Sequence, residues 1–140
     1  MNRLRKVARL SRRERRLLAR AWLTVVAFRG GLTLLPFRWM QRAARRPVRV
    51  AAAGEQLAVD RYAWAVDVAS RRVPRASCLT QALALQSLLA RAGYPSELRI
   101  GVAKDGAALE AHAWLESGGR IVIGGDVDRF ATLVGAPRAT

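Results

Sequence analysis

The sequence predicts an α+β domain in which N-terminal helices and a helix carrying the single cysteine pack on a short antiparallel sheet. Helix-start signals and helical spacing of apolar residues occupy the chain as far as Gly93. Alternating apolar residues separated by glycine-containing turns follow it. Helices followed by hairpin-linked strands are typical of a segregated α+β fold.

The first helix is predicted from a capping box, because Ser11 is followed three positions later by Glu14. Apolar residues then recur at helical spacing. We expect the Gly30-Gly31 pair to weaken this helix and Pro36 to end the next apolar turn. The pattern therefore predicts two helical segments joined by a bend, and a further helix over about residues 59–69.

The clearest predicted element is a helix with Ser77 as its N-cap and Gly93 as its stop. Residues 98–102 and 111–116 then alternate as strands do, and Ser117-Gly118-Gly119 makes a turn into a strand over 120–123.

The charge of the chain is concentrated near its N-terminus. The 140 residues carry a net charge of +15 and are 51% hydrophobic, which is enough for one domain with a modest core. Residues 1–49 hold 15 Lys and Arg against the single acid Glu14, and residues 50–140 hold 10 against 9. We divide the chain into a basic N-terminal helical region, 1–50, and a core, 51–140.

The basic region is compatible with a solvated helix face, or with contact to an anionic membrane, an acidic protein partner or nucleic acid. Four aromatic residues lie among its arginines, but their spacing fits a helix core better than a stacking surface, which disfavours nucleic acid. They are Trp22, Phe28, Phe37 and Trp39.

The sequence predicts a cytoplasmic protein without a membrane span. Residues 1–20 lack the apolar segment of a secretory signal. The apolar stretch 21–40 is interrupted by Arg29, by Gly30-Gly31 and by Pro36.

The single cysteine has few roles open to it. One Cys and one His exclude an internal disulfide and the usual zinc frameworks, so we expect no metal and no cofactor. Cys78 occupies the first turn of its helix, where backbone N–H groups and the helix dipole stabilise a thiolate. A buried core cysteine is the alternative interpretation.

His112 supplies what a thiol nucleophile needs. Strand alternation places it on one face with Trp114, which either shields the site or is plain core. A Cys–His pair also needs a third group that orients the imidazole. The hairpin returns the chain past His112, which makes Asp126 the first candidate and Asp128 the second, although both could simply solvate the turn.

Three motifs in this order resemble the transglutaminase-like leader peptidases of lasso-peptide biosynthesis, over about residues 57–134. They are Ser77-Cys78-Leu79, Ala111-His112-Ala113-Trp114-Leu115-Glu116 and Ile123-Gly124-Gly125.

The resemblance implies a papain/transglutaminase-like fold with Cys78 as nucleophile, His112 as base and Asp126 as acid. It also implies cleavage of the leader from a lasso precursor peptide. The short chain resembles the split form, which works with a separate precursor-recognition protein and a lasso cyclase. Acyl transfer by the same residues is the enzymatic alternative.

Overall fold

The computed structural model describes residues 9–45, 58–125 and 130–134, and it confirms the predicted α+β class. The elements in chain order are α1 (Arg12–Leu34), α2 (Phe37–Arg45), α3 (Val59–Ser70), α4 (Cys78–Arg91), β1 (Glu97–Asp105), β2 (Ala108–Ser117), β3 (Arg120–Ile123) and β4 (Ala131–Val134). The four strands form one antiparallel sheet in the order β3-β2-β1-β4.

Helix α1 begins at the predicted capping box. The Ser11 hydroxyl accepts a hydrogen bond from the Glu14 amide, and the Ser11 amide donates to the Glu14 carboxylate. The other carboxylate oxygen of Glu14 pairs with Arg61 of α3. The same acid therefore stabilises the start of α1 and attaches it to α3.

The glycine pair, which we expected to weaken α1, does not interrupt it, and the bend between the two helical segments comes at Pro36 as predicted. The reason lies in the packing of α2. A Cβ atom at Gly31 would lie 2.2 Å from the Met40 Cε atom, so the glycine provides the space that the methionine fills. Close helix packing thus offsets the weak helix propensity of glycine.

Uninterrupted, α1 has 23 residues and an 18-residue window of mean hydropathy 1.3, which is long and apolar enough to cross a bilayer. Core helices of soluble proteins pass the same test. One side of α1 is buried in the protein, through Leu17, Ala21, Val25 and Phe28.

Helix α4 is the centre of the fold. The Ser77 hydroxyl caps it by accepting from the Thr80 amide, and Gly93 ends it with a φ of 84°. Helices α1, α2 and α3 and strand β2 all pack against α4. Nearly every side chain from Thr80 to Leu89 is buried as a result, which is typical of a helix enclosed on all sides.

The sheet follows its predicted turns and adds one strand. Gly118 and Gly119 have φ values of 61° and 78°, the pair of positive values that a two-residue type I′ hairpin requires. We did not predict β4, which pairs with β1 at the opposite edge from β3.

The two faces of the sheet bury different groups. Ala113 and Leu115 of β2 join the large core formed with the helices. Trp114 lies on the opposite face, where it packs with Ala103 and Phe130 in a small second cluster. The division at residue 50 stays a prediction, although α1 and α2 contribute to the same large core as α3 and α4.

Candidate active site

The Cys78 thiol lies at the point where α4 meets β2. Cys78 is the first residue of α4 and is half-buried. Its Sγ atom accepts a hydrogen bond from the Ala113 backbone amide at 3.4 Å. Strand β3 ends at Ile123, opposite Leu115, so among the described residues the β2 edge at Ala113 is open to the helix start.

The sulfur lies near backbone N–H donors. The first turn of α4 contains no acidic residue, and the helix presents unsatisfied N–H groups and the positive end of its dipole there. The Ala113 amide adds a donor aimed at the sulfur.

The His112 imidazole is held by a backbone carbonyl. Its Nε2 atom lies 2.6 Å from the Gly124 carbonyl oxygen. A carbonyl can only accept, so Nε2 carries the hydrogen and Nδ1 of the neutral ring keeps its lone pair. The hydrogen bond therefore selects the tautomer in which Nδ1 can accept a proton.

The thiol and the imidazole are linked through adjacent residues of β2, because the Cys78 sulfur accepts from the Ala113 amide and the imidazole belongs to His112. Strand alternation sends the side chains of His112 and Ala113 to opposite faces of the sheet. In the described part of the chain no hydrogen bond joins the thiol directly to the imidazole, and the Ala113 backbone is the link between them.

Two aromatic rings contact the imidazole. The Phe130 ring lies 5.1 Å from the His112 ring between centroids, and the Trp114 ring lies 6.3 Å away at an interplanar angle of 23°. Trp114 is fully buried, so it serves both as core and as a wall of the site. Sequence reasoning missed Phe130, because it lies outside every predicted element.

Two glycines allow these rings to approach the backbone. A Cβ atom at Gly101, the cross-strand partner of His112, would lie 2.9 Å from the Phe130 Cβ atom and 3.0 Å from the Trp114 ring. Gly124 has a φ of 116°, and a Cβ there would lie 2.4 Å from the Trp114 Cβ atom. Only glycine satisfies both constraints at Gly124, whose carbonyl holds His112.

An ion-pair network of Glu116, Arg99 and Glu97 supports the Trp114 indole. Its indole N–H donates to Glu116 at 3.1 Å, and the second Glu116 oxygen lies 3.3 Å from Arg99 Nε. Arg99 is almost fully buried and also pairs with Glu97 at 2.8 Å. The network holds the indole that stacks on the imidazole.

The structure describes two of the four candidate site residues, Cys78 and His112. It brings Cys78 close to the segment that carries His112, and it places Gly124 beside the imidazole, where the hairpin was expected to return. Asp126 and Asp128 lie outside the described residues, so the choice between them stays a prediction.

Comparison with known proteins identifies one family. A family model described as the transglutaminase-like superfamily matches residues 22–135, most of the chain. No curated protein and no solved structure matches significantly. The match begins within α1, at Trp22, and extends over the remaining helices and all four strands.

Proposed function

We propose, because the chain belongs to the transglutaminase-like superfamily, that it is a cysteine protease that uses Cys78 and His112. One observation carries the proposal. The Cys78 sulfur, at the start of α4, accepts a hydrogen bond from the backbone amide of Ala113, the residue that follows His112. This superfamily generally comprises cysteine peptidases or acyltransferases, and a cysteine nucleophile of this kind is activated by an adjacent base.

In the proposed reaction the imidazole first moves within hydrogen-bond reach of the thiol, and His112 Nδ1 then takes the proton from Cys78. The thiolate attacks the carbonyl carbon of the scissile peptide bond, and His112 then donates its proton to the leaving amine. A thioester joins the N-terminal fragment to Cys78. Water, deprotonated by His112, hydrolyses this thioester and releases a carboxylate.

The start of α4 also suits the oxyanion formed during attack. The Cys78 backbone N–H belongs to the helix N-terminus, where amides have no intrahelical acceptor. The neighbouring Thr80 amide is already used by the Ser77 hydroxyl, which leaves the groups nearest the sulfur for the substrate. Removing one oxyanion donor typically costs about 10²-fold or more in turnover.

We assign the role of the acid that stabilises the His112 imidazolium to Asp126, with Asp128 as the alternative. The Gly124 carbonyl orients the imidazole, and a carboxylate two residues later would add negative charge to stabilise the imidazolium. Asp126→Asn should lower turnover by orders of magnitude without weakening precursor affinity, while Asp128→Asn should have little effect. Full turnover in both variants would mean that the Gly124 carbonyl suffices.

The substrate we propose is the leader–core junction of a lasso precursor peptide, recognised together with a separate recognition protein and passed to a cyclase. The support is the sequence resemblance of the three motifs around Cys78, His112 and Gly124. Cleavage leaves the core with a free α-amine, the nucleophile that a ring-closing acyl transfer consumes.

The experiment compares wild type with Cys78→Ala on a precursor peptide, in the presence of the recognition protein. Wild type should release leader and core, and a folded Cys78→Ala protein should release neither. Cleavage by that variant at the wild-type rate would exclude a Cys78 nucleophile.

Acyl transfer to an amine is the second candidate, because the same thioester would serve both reactions. Adding a primary amine distinguishes them through the mass of the N-terminal product. A carboxylate product supports hydrolysis, and an amide of the added amine as the main product supports an acyltransferase.

A further inference from the structure

Six large apolar side chains remain exposed on the N-terminal helices. We call them together the outer apolar surface. Its members are 39% to 82% exposed, and they lie on α1, at the corner after it and on α2. They are Trp22, Leu23, Val26, Leu34, Leu35 and Trp39. The expectation that the aromatic residues serve the core is therefore wrong for the two tryptophans, although it holds for the buried Phe28.

Helix α1 is apolar on both sides in its second half. Its inner stripe, Leu17 to Phe28, is buried against α3 and α4. At 3.6 residues per turn, Leu23, Val26 and Leu34 project from the opposite side. A helix that is apolar all round is normally enclosed, and the outer side of α1 has no such cover in the described structure.

The charge around this surface is almost entirely positive. Residues 9–45 contain ten arginines and one acid, Glu14. That acid is already bonded to the Ser11 amide and to Arg61. Exposed arginines lie on the first turns of α1, such as Arg12 and Arg16, and on α2, such as Arg38 and Arg42.

We propose that the outer apolar surface docks on an anionic lipid bilayer. Apolar side chains with tryptophans enter the interface, and the arginines remain at the level of the anionic headgroups. The corner at Leu34, the most exposed member, would enter first. The helix lies on the membrane and does not cross it, because its inner stripe is part of the core and crossing would expose that core.

The chemistry of the surface selects lipid over nucleic acid. Arginines and tryptophans could contact phosphates and bases, but Leu23, Val26, Leu34 and Leu35 would gain nothing from a nucleic-acid backbone. A lipid environment would remove these four side chains from water. An acidic protein with an apolar groove would satisfy the same residues and is the alternative outcome of the test.

The test uses the full chain with vesicles of phosphatidylcholine alone and of phosphatidylcholine mixed with phosphatidylglycerol. The protein should co-sediment with the anionic vesicles, more weakly as salt rises. Leu34→Glu should reduce binding by about tenfold or more, since it replaces a buried apolar group by a charge of the wrong sign.

Leu109→Glu is the matched control, because Leu109 is also an exposed leucine, 72% accessible, on strand β2 far from α1 in sequence. It should bind anionic vesicles as wild type does. Equal loss in both variants, or no binding to either vesicle, would overturn the proposal and assign the surface to a protein partner. Precursor cleavage without vesicles should be unchanged by Leu34→Glu, which separates docking from catalysis.

Discussion

The two faces of strand β2 differ in what they are built to do. Ala113 and Leu115 face the helices in a packed aliphatic core. His112 and Trp114 lie on the opposite face, among aromatic rings. The close approaches at Gly101 and Gly124 and the ion pair between Arg99 and Glu116 also belong to this face. One strand thus has a packed core on one face and the predicted base on the other, and in the described part of the chain the Ala113 amide links the strand to Cys78.

His112→Ala tests the face of β2 that carries the base, and it should have the largest effect on turnover. Removing the base should lower precursor cleavage by about 10³-fold or more. The half-buried imidazole contributes little to the core, so the thermal midpoint should move only slightly. Cleavage kinetics and a melting curve on the same preparation provide the two readouts, and substantial residual turnover would place the base elsewhere.

Gly124→Ala should lower both turnover and stability. The new Cβ would collide with Trp114, and the backbone would keep a φ of 116° that alanine disfavours. We expect turnover to fall by about 10²-fold, since the carbonyl that holds His112 moves. Gly118→Ala is the matched control, with a φ of 61° but open space, and it should cost about 1 kcal/mol of stability with normal turnover.

Leu115→Ala tests the other face of β2. The side chain is fully buried against the helices, so its loss should reduce the free energy of unfolding by about 3 kcal/mol. Turnover per folded molecule should stay near wild type. Chemical denaturation gives the first quantity, and a large loss of turnover at full folding would contradict the division between the faces.

Glu116→Gln should have the smallest effect. The amide oxygen can still accept from the Trp114 indole, but Arg99 loses its buried partner, at a cost of about 1–3 kcal/mol. Glu97→Gln is the control, because that carboxylate is 64% exposed and such ion pairs contribute about 1 kcal/mol or less. Similar losses in both variants would mean that burial of Arg99 is unimportant.

Local signals predicted most of the fold. The capping box at Ser11, the cap at Ser77 and the turn at Gly118-Gly119 each use hydrogen bonds or backbone angles that neighbouring residues determine. Continuation of α1 through Gly31 could not be predicted, because it depends on Met40 from the next helix. Strand β4 depends on pairing with β1, about 30 residues earlier in the chain.

The site was predictable in its residue types and less so in its contacts. Helix-start position and strand alternation were enough to select Cys78 and His112 as candidates. The Gly124 carbonyl and the Phe130 ring depend on how the chain returns across the sheet, and nothing local specifies either contact. The exposed tryptophans Trp22 and Trp39 were misassigned because spacing does not reveal which side of a helix has a partner.

The proposed mechanism requires that the precursor acylates Cys78, so trapping the thioester on Cys78 is the decisive experiment. A reaction quenched in acid within the first turnover, then digested and analysed by mass spectrometry, should show the leader attached to the peptide that contains Cys78. Cys78→Ala should show no adduct. Leader release without any adduct on Cys78, or at an undiminished rate in folded Cys78→Ala, would contradict the account.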